Sequence, residues 1–127
     1  MMRRFDAPAY TMIIHDDLLI EFKVKKNVTL LESHVWETRE LASKYMPGKK
    51  FVVLMEAEEN FDVSVDARRA GASEEYARDV LALALCSNRL HETILGNLFL
   101  KVNRPVVTSR FFDNREKAIE WLRSFQK

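Results

Sequence analysis

Apolar residues follow two alternating patterns along the chain, and these patterns define its elements. Continuous apolar runs of strand length at 51–55 and 80–86 predict central strands buried on both faces of a sheet. The earlier run 18–24 alternates apolar and charged residues, which is typical of a half-buried strand. Two aspartates separate it from the β-rich run 9–15, so these two runs predict an antiparallel hairpin. The run 106–111 predicts the last strand.

Stretches with apolar residues every three or four positions predict four helices. The first should begin at Thr29, because Thr29 and Glu32 have the spacing of a capping box. The first helix is predicted from Thr29 to Pro47-Gly48, and the second within 64–78 with a break at Gly71 and a new cap at Ser73. The third is predicted from Ser87 or Asn88 to about Lys101, and the fourth after a cap at Asp113 or Asn114.

The element order ββαβαβαβα predicts an α/β (α+β) fold with a mixed sheet of four to five strands. Strands joined through helices become parallel neighbours with right-handed crossovers, and the opening hairpin adds an antiparallel pair. No Pro/Gly/Ser-rich linker or internal repeat interrupts the sequence. We therefore expect one domain over 1–127, with a loose start at 1–8.

The charges of the chain are nearly balanced, with 20 Lys and Arg against 19 Asp and Glu and a net charge of +1. Such a chain has no strong field to attract nucleic acid or an anionic membrane. No stretch approaches the roughly 18 apolar residues of a membrane-spanning helix. The first ten residues lack the apolar segment of a signal peptide. The sequence predicts a soluble cytoplasmic protein with no nucleic-acid partner and no transmembrane segment.

Catalytic and metal-binding motifs are absent from the sequence. His91-Glu92 begins like the zinc-protease pattern H-E-x-x-H, but Leu95 stands in place of the second histidine. We expect His91 to be buried and hydrogen-bonded, since it falls on the apolar half of its helix. There is no G-x-S-x-G, G-x-G-x-x-G or P-loop motif. We therefore assign no catalytic residue, metal ligand or cofactor, and we expect a protein that is not an enzyme.

Two sets of residues are candidates for binding instead. Trp36 falls opposite the apolar stripe of the first helix, and an exposed tryptophan is a typical partner contact. The alternative is that another segment covers it. Arg89, Arg104 and Arg110 would form an anion site if the fold brings them together.

The helix predicted over 88–101 has an unusually wide apolar face. Its apolar positions, with Phe99, Leu100 and the nearby Phe111 and Phe112, exceed what one sheet face covers. The surplus indicates an apolar ligand site or a dimer face. Gly96 in the middle of this helix indicates close packing against a neighbouring element or chain, with a ligand contact as the alternative.

Two segments carry a resemblance to a known family, GNLFLKVNRP at 96–105 and RFFDNREKAIEWL at 110–122. With the element order and the NVTLLE helix start, they resemble small uncharacterised bacterial proteins of the STAS/SpoIIAA-like family. The resemblance covers 9–125. It implies a mixed sheet whose helices pack mainly on one face.

The resemblance also implies a function. STAS/SpoIIAA-like domains are non-catalytic interaction modules, and in anti-sigma-factor antagonists a serine at the start of the second helix is phosphorylated. Ser64 corresponds to that serine by position, although Asp62-Val-Ser-Val lacks the second serine and the glycine of the family signature. A plain helix cap is the alternative role for Ser64.

Two functional hypotheses follow from these residues. The first is a non-catalytic interaction and regulatory module that binds an unknown protein partner or associates with itself as a homodimer. The alternative is a carrier or sensor of a small apolar, lipid-like ligand, as in the related CRAL-TRIO domains.

Overall fold

A computed structural model describes residues 2–126 and contains one six-stranded sheet and one two-stranded sheet. The strands are β1 (Arg3–Asp6), β2 (Tyr10–Ile14), β3 (Leu19–Val24), β4 (Thr29–Leu30), β5 (Phe51–Ala57), β6 (Asp62–Val63), β7 (Val80–Cys86) and β8 (Ser109–Phe112). The helices are α1 (Glu32–Tyr45), α2 (Val65–Ala72), α3 (Glu74–Ala77), α4 (Leu90–Leu98) and α5 (Arg115–Arg123). A π-helical segment, Phe99–Asn103, continues α4, and a short 3-10 turn, Ser124–Gln126, follows α5.

The large sheet has the order β1-β2-β3-β5-β7-β8. The first three strands pair antiparallel, and β3, β5, β7 and β8 pair parallel. The predicted mixed α/β sheet is therefore confirmed, with six strands rather than four or five. The additional strand is β1, so residues 3–6 are not part of a loose start; Met1 lies outside the described residues. Backbone pairing with the exposed edge of β2 orders this segment.

Helices cover both faces of the large sheet, but unequally. Three helices, α1, α2 and α4, lie over one face, where Met12, Ile20 and Val53 belong to the main hydrophobic core. On the other face Ala118 and Leu122 of α5 pack against alternate residues of the central strands. The prediction that the helices pack mainly on one face is confirmed, and α5 is the exception.

The capping box predicted at Thr29 is wrong. Thr29 belongs to β4, which pairs in parallel with β6. Helix α1 begins at Glu32, and the ring nitrogen Nδ1 of His34 accepts a hydrogen bond of 2.9 Å from the backbone N–H of Leu31. A pairing with residues more than thirty positions away thus displaces the helix start that the local spacing indicates.

Serine caps divide the second helical region as predicted, although the division lies at Ser73 rather than Gly71. The Ser64 hydroxyl accepts a hydrogen bond of 3.1 Å from the Ala67 N–H and starts α2. The Ser73 hydroxyl accepts one of 3.2 Å from the Tyr76 N–H and starts α3. Each hydroxyl satisfies a backbone donor that has no partner within its helix.

The region after β7 departs from its predicted boundaries. Instead of one α-helix to Lys101, α4 ends at Leu98 and the chain continues as a π-helical segment. Arg104 then adopts the left-handed conformation, with φ of 48°. The last strand begins at Ser109 rather than at residue 106.

A cluster of charges joins α5 to the sheet. Arg115 pairs with Glu21 of β3 and Glu56 of β5, and His15 Nε2 lies 2.5 Å from Glu21 Oε2. Burial raises the pKa of Glu21, but hydrogen bonds from Arg115 and His15 outweigh burial and hold that pKa below its ordinary value. The ionised form of Glu21 is therefore favoured in the folded protein.

Glycine allows α4 to approach β8 closely, as the sequence predicts. A Cβ atom at Gly96 would lie 2.6 Å from the Phe111 ring. We expect Gly96→Ala to lower the free energy of unfolding by up to about 2 kcal/mol, because overpacking costs about 1–3 kcal/mol and better helix propensity returns about 1 kcal/mol. Urea denaturation measures the change.

Gly71→Ala is the matched control for this prediction, since its new methyl group would lie 3.7 Å from the Phe99 ring in ordinary contact. The double variant Gly96→Ala/Phe111→Leu should recover part of the lost stability. Equal stability of Gly96→Ala and Gly71→Ala would contradict the close approach.

The charges around Glu21 predict the response of the protein to acid. A lowered pKa contributes stability above the ordinary value of 4.5 for Glu21, and this stability is lost as the pH falls through the folded-state pKa. Glu21→Gln should therefore be less stable than wild type at pH 7 and should lose less stability on acidification. Urea unfolding at a series of pH values tests this. Glu116→Gln on the exposed surface of α5 is the control, and parallel curves for Glu21→Gln and wild type would refute the prediction.

Candidate functional site

A cavity of about 140 Å³ lies between the large sheet and the helices α1, α2 and α4. Its floor is a row of apolar side chains that the strand register aligns across five strands. The row contains Met12, Phe22, Met55, Leu85 and Phe111, one from each of β2, β3, β5, β7 and β8. Residues paired in this way project from the same face of the sheet, so the floor is continuous and apolar.

Small side chains form much of the roof. Ala42 of α1, Ala67 and Gly71 of α2 and Gly96 of α4 all line the cavity. They face large floor residues but do not fill the space between the layers. The helix layer thus contributes these small residues beside larger ones such as Leu95 and Phe99, over a sheet face rich in large side chains.

Arg39 of α1 introduces a positive charge into this apolar wall. Its Nη2 donates a hydrogen bond of 3.0 Å to Asp79 Oδ2, and its side chain is only 14% exposed. The guanidinium carbon lies 5.5 Å from the centre of the Phe51 ring and 5.9 Å from that of the Tyr76 ring, and both residues line the cavity.

Two further nitrogens of Arg39, Nε and Nη1, are buried and have no hydrogen-bond partner within residues 2–126. A buried donor without a partner costs about 1–3 kcal/mol, and more when it is charged. Arg39 therefore keeps two strong donors unsatisfied beside the cavity.

Two ionisable groups of the cavity wall are held in their neutral forms. Burial raises the pKa of Tyr76 to about 12, although the nearby Arg39 opposes this rise. Burial, followed by the charge of Glu56, raises the pKa of the Cys86 thiol. Neither group is activated as a nucleophile at neutral pH.

Carboxylates lie at the opposite end of the cavity, where β5 and β7 end. Glu92 is buried and accepts hydrogen bonds from Ser87 at 2.8 Å and from Arg89 at 2.7 Å. Glu56 pairs with Arg115. Both carboxylates therefore have cationic partners outside the cavity.

The residues expected to form an apolar ligand or dimer face divide between two surfaces. Phe99 and Phe111 line the cavity. Leu100 is partly buried against the main core. Phe112 projects from the other face of the sheet, and its ring centre lies 5.5 Å from that of Trp121. Alternation along β8 explains why two neighbouring phenylalanines separate.

The three arginines considered as an anion site have separate surroundings. Arg89 pairs with Glu92 near the cavity. Arg110 lies over the Phe112 ring, at 5.1 Å from its centre, on the α5 side of the sheet. Arg104 follows the π-helical segment and is exposed. The structure does not bring Arg89 and Arg110 together, because they belong to opposite faces.

Trp36 is partly buried rather than fully exposed. It packs against Val35, Ala67 and Ala70, and its Nε1 donates a hydrogen bond of 3.0 Å to Glu32.

His91, expected to be buried, is exposed, with its ring centre 6.3 Å from that of Phe61. Helix α4 is oriented with other residues, such as Leu95, toward the interior, and His91 therefore lies at the surface.

An outer apolar stripe runs along α4 and the π-helical segment at four-residue intervals. It contains Leu90, Ile94, Leu98 and Val102, which are 78%, 57%, 39% and 67% exposed. The inner side of the same helix presents Leu95 and Gly96 to the cavity. The helix is therefore apolar on two sides, which accounts for the surplus of apolar positions in its sequence.

Arg39 is not among the site residues predicted from the sequence. The signal was its position, four residues after Val35 and three before Ala42, within the inward stripe of α1. A charged residue in such a stripe indicates either a buried ion pair or a ligand contact.

Neither a spanning helix nor a metal cluster is found in the described part of the chain. No helix within residues 2–126 has the length and apolar character needed to cross a membrane. The same residues contain no group of three or more His, Cys, Asp or Glu side chains arranged to hold a metal ion.

Comparisons with known proteins give a family and a fold. Residues 12–126 match the family described as Domain of unknown function (DUF7793). A comparison with curated proteins finds no match. Among solved structures, the chain is similar to an uncharacterised DUF3478-family protein with a SpoIIAA-like fold from Shewanella loihica PV-4. The two are 12% identical, with a TM-score of 0.56 over 96% of this chain and 92% of that one. The chain therefore belongs to the DUF7793 family and has a SpoIIAA-like fold, as the resemblance in its sequence indicated.

Proposed function

We propose that this protein is a non-catalytic regulatory module of the SpoIIAA-like type that binds a small apolar molecule in its cavity. The observation that carries the proposal is the cavity of about 140 Å³ with its continuous apolar floor. An engineered apolar cavity of about 150 Å³ in another protein binds benzene, so the space suits a compact ligand.

The energetics of the cavity support a ligand. The apolar side chains around this space of about 140 Å³ lack neighbours on the side that faces it. A ligand that fills the space recovers van der Waals contacts and thereby stabilises the folded state. Occupancy is thus coupled to the packing of α1, α2 and α4 on the sheet.

The protonated states of Tyr76 and Cys86 in the cavity wall support binding rather than turnover. Tyr76 and Cys86 are both held in their protonated forms, as their raised pKa values indicate. The carboxyl groups of Glu56 and Glu92 are paired with Arg115 and Arg89, respectively. A ligand in the cavity would therefore meet a mostly apolar and chemically inert surface.

A second candidate function, self-association, rests on the outer apolar stripe of α4. The stripe runs from Leu90 to Val102, which is roughly 18 Å of helix. A two-fold axis can pair such a stripe with the same stripe of a second copy. The net charge of +1 opposes self-association only weakly. Trp36 stays a proposed contact for a different partner.

Binding of an apolar molecule in the cavity can be tested with toluene. We expect toluene, a small apolar probe, to raise the Tm of the wild-type protein by roughly 3–6 °C at about ten times its Kd. Val53→Phe places a ring in the cavity and should abolish this shift, because Val53 is buried on its floor. Thermal scans by circular dichroism with and without toluene measure the effect.

Val106→Phe is the matched control for the toluene experiment. Val106 is 57% exposed, so this substitution adds the same ring at the surface. It should retain the full shift. Absence of a toluene-dependent shift in wild type, or an equal shift in Val53→Phe, would contradict ligand binding in the cavity.

Self-association through the outer apolar stripe of α4 can be tested by measuring the mass of the protein in solution. We expect the wild-type protein to form a dimer whose fraction rises with concentration, and Ile94→Glu to remain monomeric, because a charge in the centre of the interface would be buried without a partner. Size-exclusion chromatography with light scattering measures the mass. Leu31→Glu, an exposed apolar residue outside the stripe, should behave as wild type. A wild-type monomer at all concentrations would exclude this mode.

A further inference from the structure

We infer that two copies of this chain associate through the outer apolar stripe in an antiparallel orientation, in which Lys101 of one copy lies against Glu59 of the other. The inference rests on the self-association proposed above, and it adds the orientation of the second copy and the charged contacts that select it. It starts from the distribution of charge along the stripe, which is basic at one end and acidic at the other.

The C-terminal end of the stripe is basic. Lys101 and Arg104 are exposed there, and the segment 97–108 contains no Asp or Glu. Neither residue forms an ion pair with a carboxylate of residues 2–126. The neighbouring helices α2 and α3 add no net charge, because 65–78 contains three basic and three acidic residues. A net positive charge therefore remains at this end.

The N-terminal end of the stripe lies beside the loop 56–62, which contains four acidic residues and no basic one. The ring centre of Phe61 in this loop lies 6.3 Å from that of His91 in the first turn of α4. Arg89, which precedes α4, pairs with Glu92 and so adds no net charge to this end. The local charge is therefore set by the loop.

Part of the negative charge of the loop is offset by its neighbours. Arg115 pairs with Glu56, and the Glu58 carboxylate accepts a hydrogen bond of 3.0 Å from the backbone N–H of Lys26. Glu59 is exposed and forms no ion pair within the part of the chain that the structure describes. Glu59 is therefore available to a cation of a second copy.

The apolar contacts suit a helix that is related to α4 by a two-fold axis. A row of side chains at four-residue intervals is a ridge of the kind that packs into the groove of another helix. Within this row, Leu90 and Val102 are equally far in sequence from Gly96, and so are Ile94 and Leu98. Antiparallel pairing about the level of Gly96 therefore places Leu90 against Val102 and Ile94 against Leu98 of the second copy.

The charges distinguish the two orientations that a two-fold axis allows. Antiparallel pairing brings the basic end of each stripe against the acidic loop of the other copy, so Lys101 and Glu59 attract. Parallel pairing would bring like charges together at both ends. The partial charges at the ends of the two helices also favour the antiparallel arrangement. A stripe with oppositely charged ends is thus complementary to a second copy of itself.

Reversal of these charges tests the orientation, with the dimer Kd measured by sedimentation velocity. We expect Lys101→Glu and Glu59→Lys each to raise the Kd at least about fivefold, since a two-fold axis repeats every charge contact. The double variant Lys101→Glu/Glu59→Lys again has opposite charges at the two ends and should return close to the wild-type Kd. Lys117→Glu, at an exposed position of α5, is the control with the same change in charge and should leave the Kd unchanged.

Cross-linking tests the orientation independently of charge. Cys86 is the only cysteine of the chain, so Cys86→Ala provides a background without thiols. In this background, Leu90→Cys and Val102→Cys proteins are mixed and treated with a short bismaleimide. Antiparallel pairing holds identical positions roughly 18 Å apart along the helix but brings the two different positions together. Intact mass spectrometry should therefore show products that join the two variants well above their random share.

The outcomes separate the orientation from self-association itself. A wild-type dimer that cross-links mainly through identical positions, or whose Kd is unaffected by Lys101→Glu, would overturn the antiparallel arrangement and leave self-association standing. A wild-type monomer at all concentrations would refute both. If either cysteine variant fails to fold by circular dichroism, the charge-reversal series decides the orientation alone.

Discussion

The parallel register of β3, β5, β7 and β8 is the constraint on which the cavity and the packing of the helices depend. It aligns Phe22, Met55, Leu85 and Phe111 in one row and directs the intervening residues to the opposite face. A shift by one residue in any strand would turn its member of the row toward α5. The register thus determines which residues form the floor of the cavity, and the side chains at those positions determine its shape.

The two faces of the sheet differ in side-chain size, and this difference places the cavity on one side. Toward α5 the central strand β7 presents Ala82 and Ala84, which meet Ala118 of the helix, so the two elements pack closely. Toward the other helices the sheet presents large side chains, whereas several cavity-lining residues of α1 and α2 are alanine or glycine. Small residues of α1 and α2 contribute little volume above the large floor residues, whereas at Gly96 helix α4 lies directly against the Phe111 ring.

Sequence patterns predicted the elements that depend on local properties and failed where distant pairing decides. The apolar runs identified β5 and β7, and hydroxyl caps identified the starts of α2 and α3. The capping box predicted at Thr29 does not form, because this segment pairs as β4 with β6. Residues 3–6 form a strand because they pair with β2. The polar part of the cavity was unpredictable for the same reason. Arg39 and Asp79 are forty positions apart, and only the fold brings them into contact.

Helix α4 connects the interior of the cavity to the molecular surface. Its inner side lines the cavity through Leu95, and its outer side exposes the apolar stripe that includes Leu90 and Ile94. A ligand that fills the cavity must contact the inner side, and any displacement of the helix also moves the stripe. In a module that both binds a ligand and contacts a partner, the two events would be coupled through this one element, with equal effect in either direction. The apolar surplus that first marked 88–101 in the sequence is therefore divided between two sides of one helix.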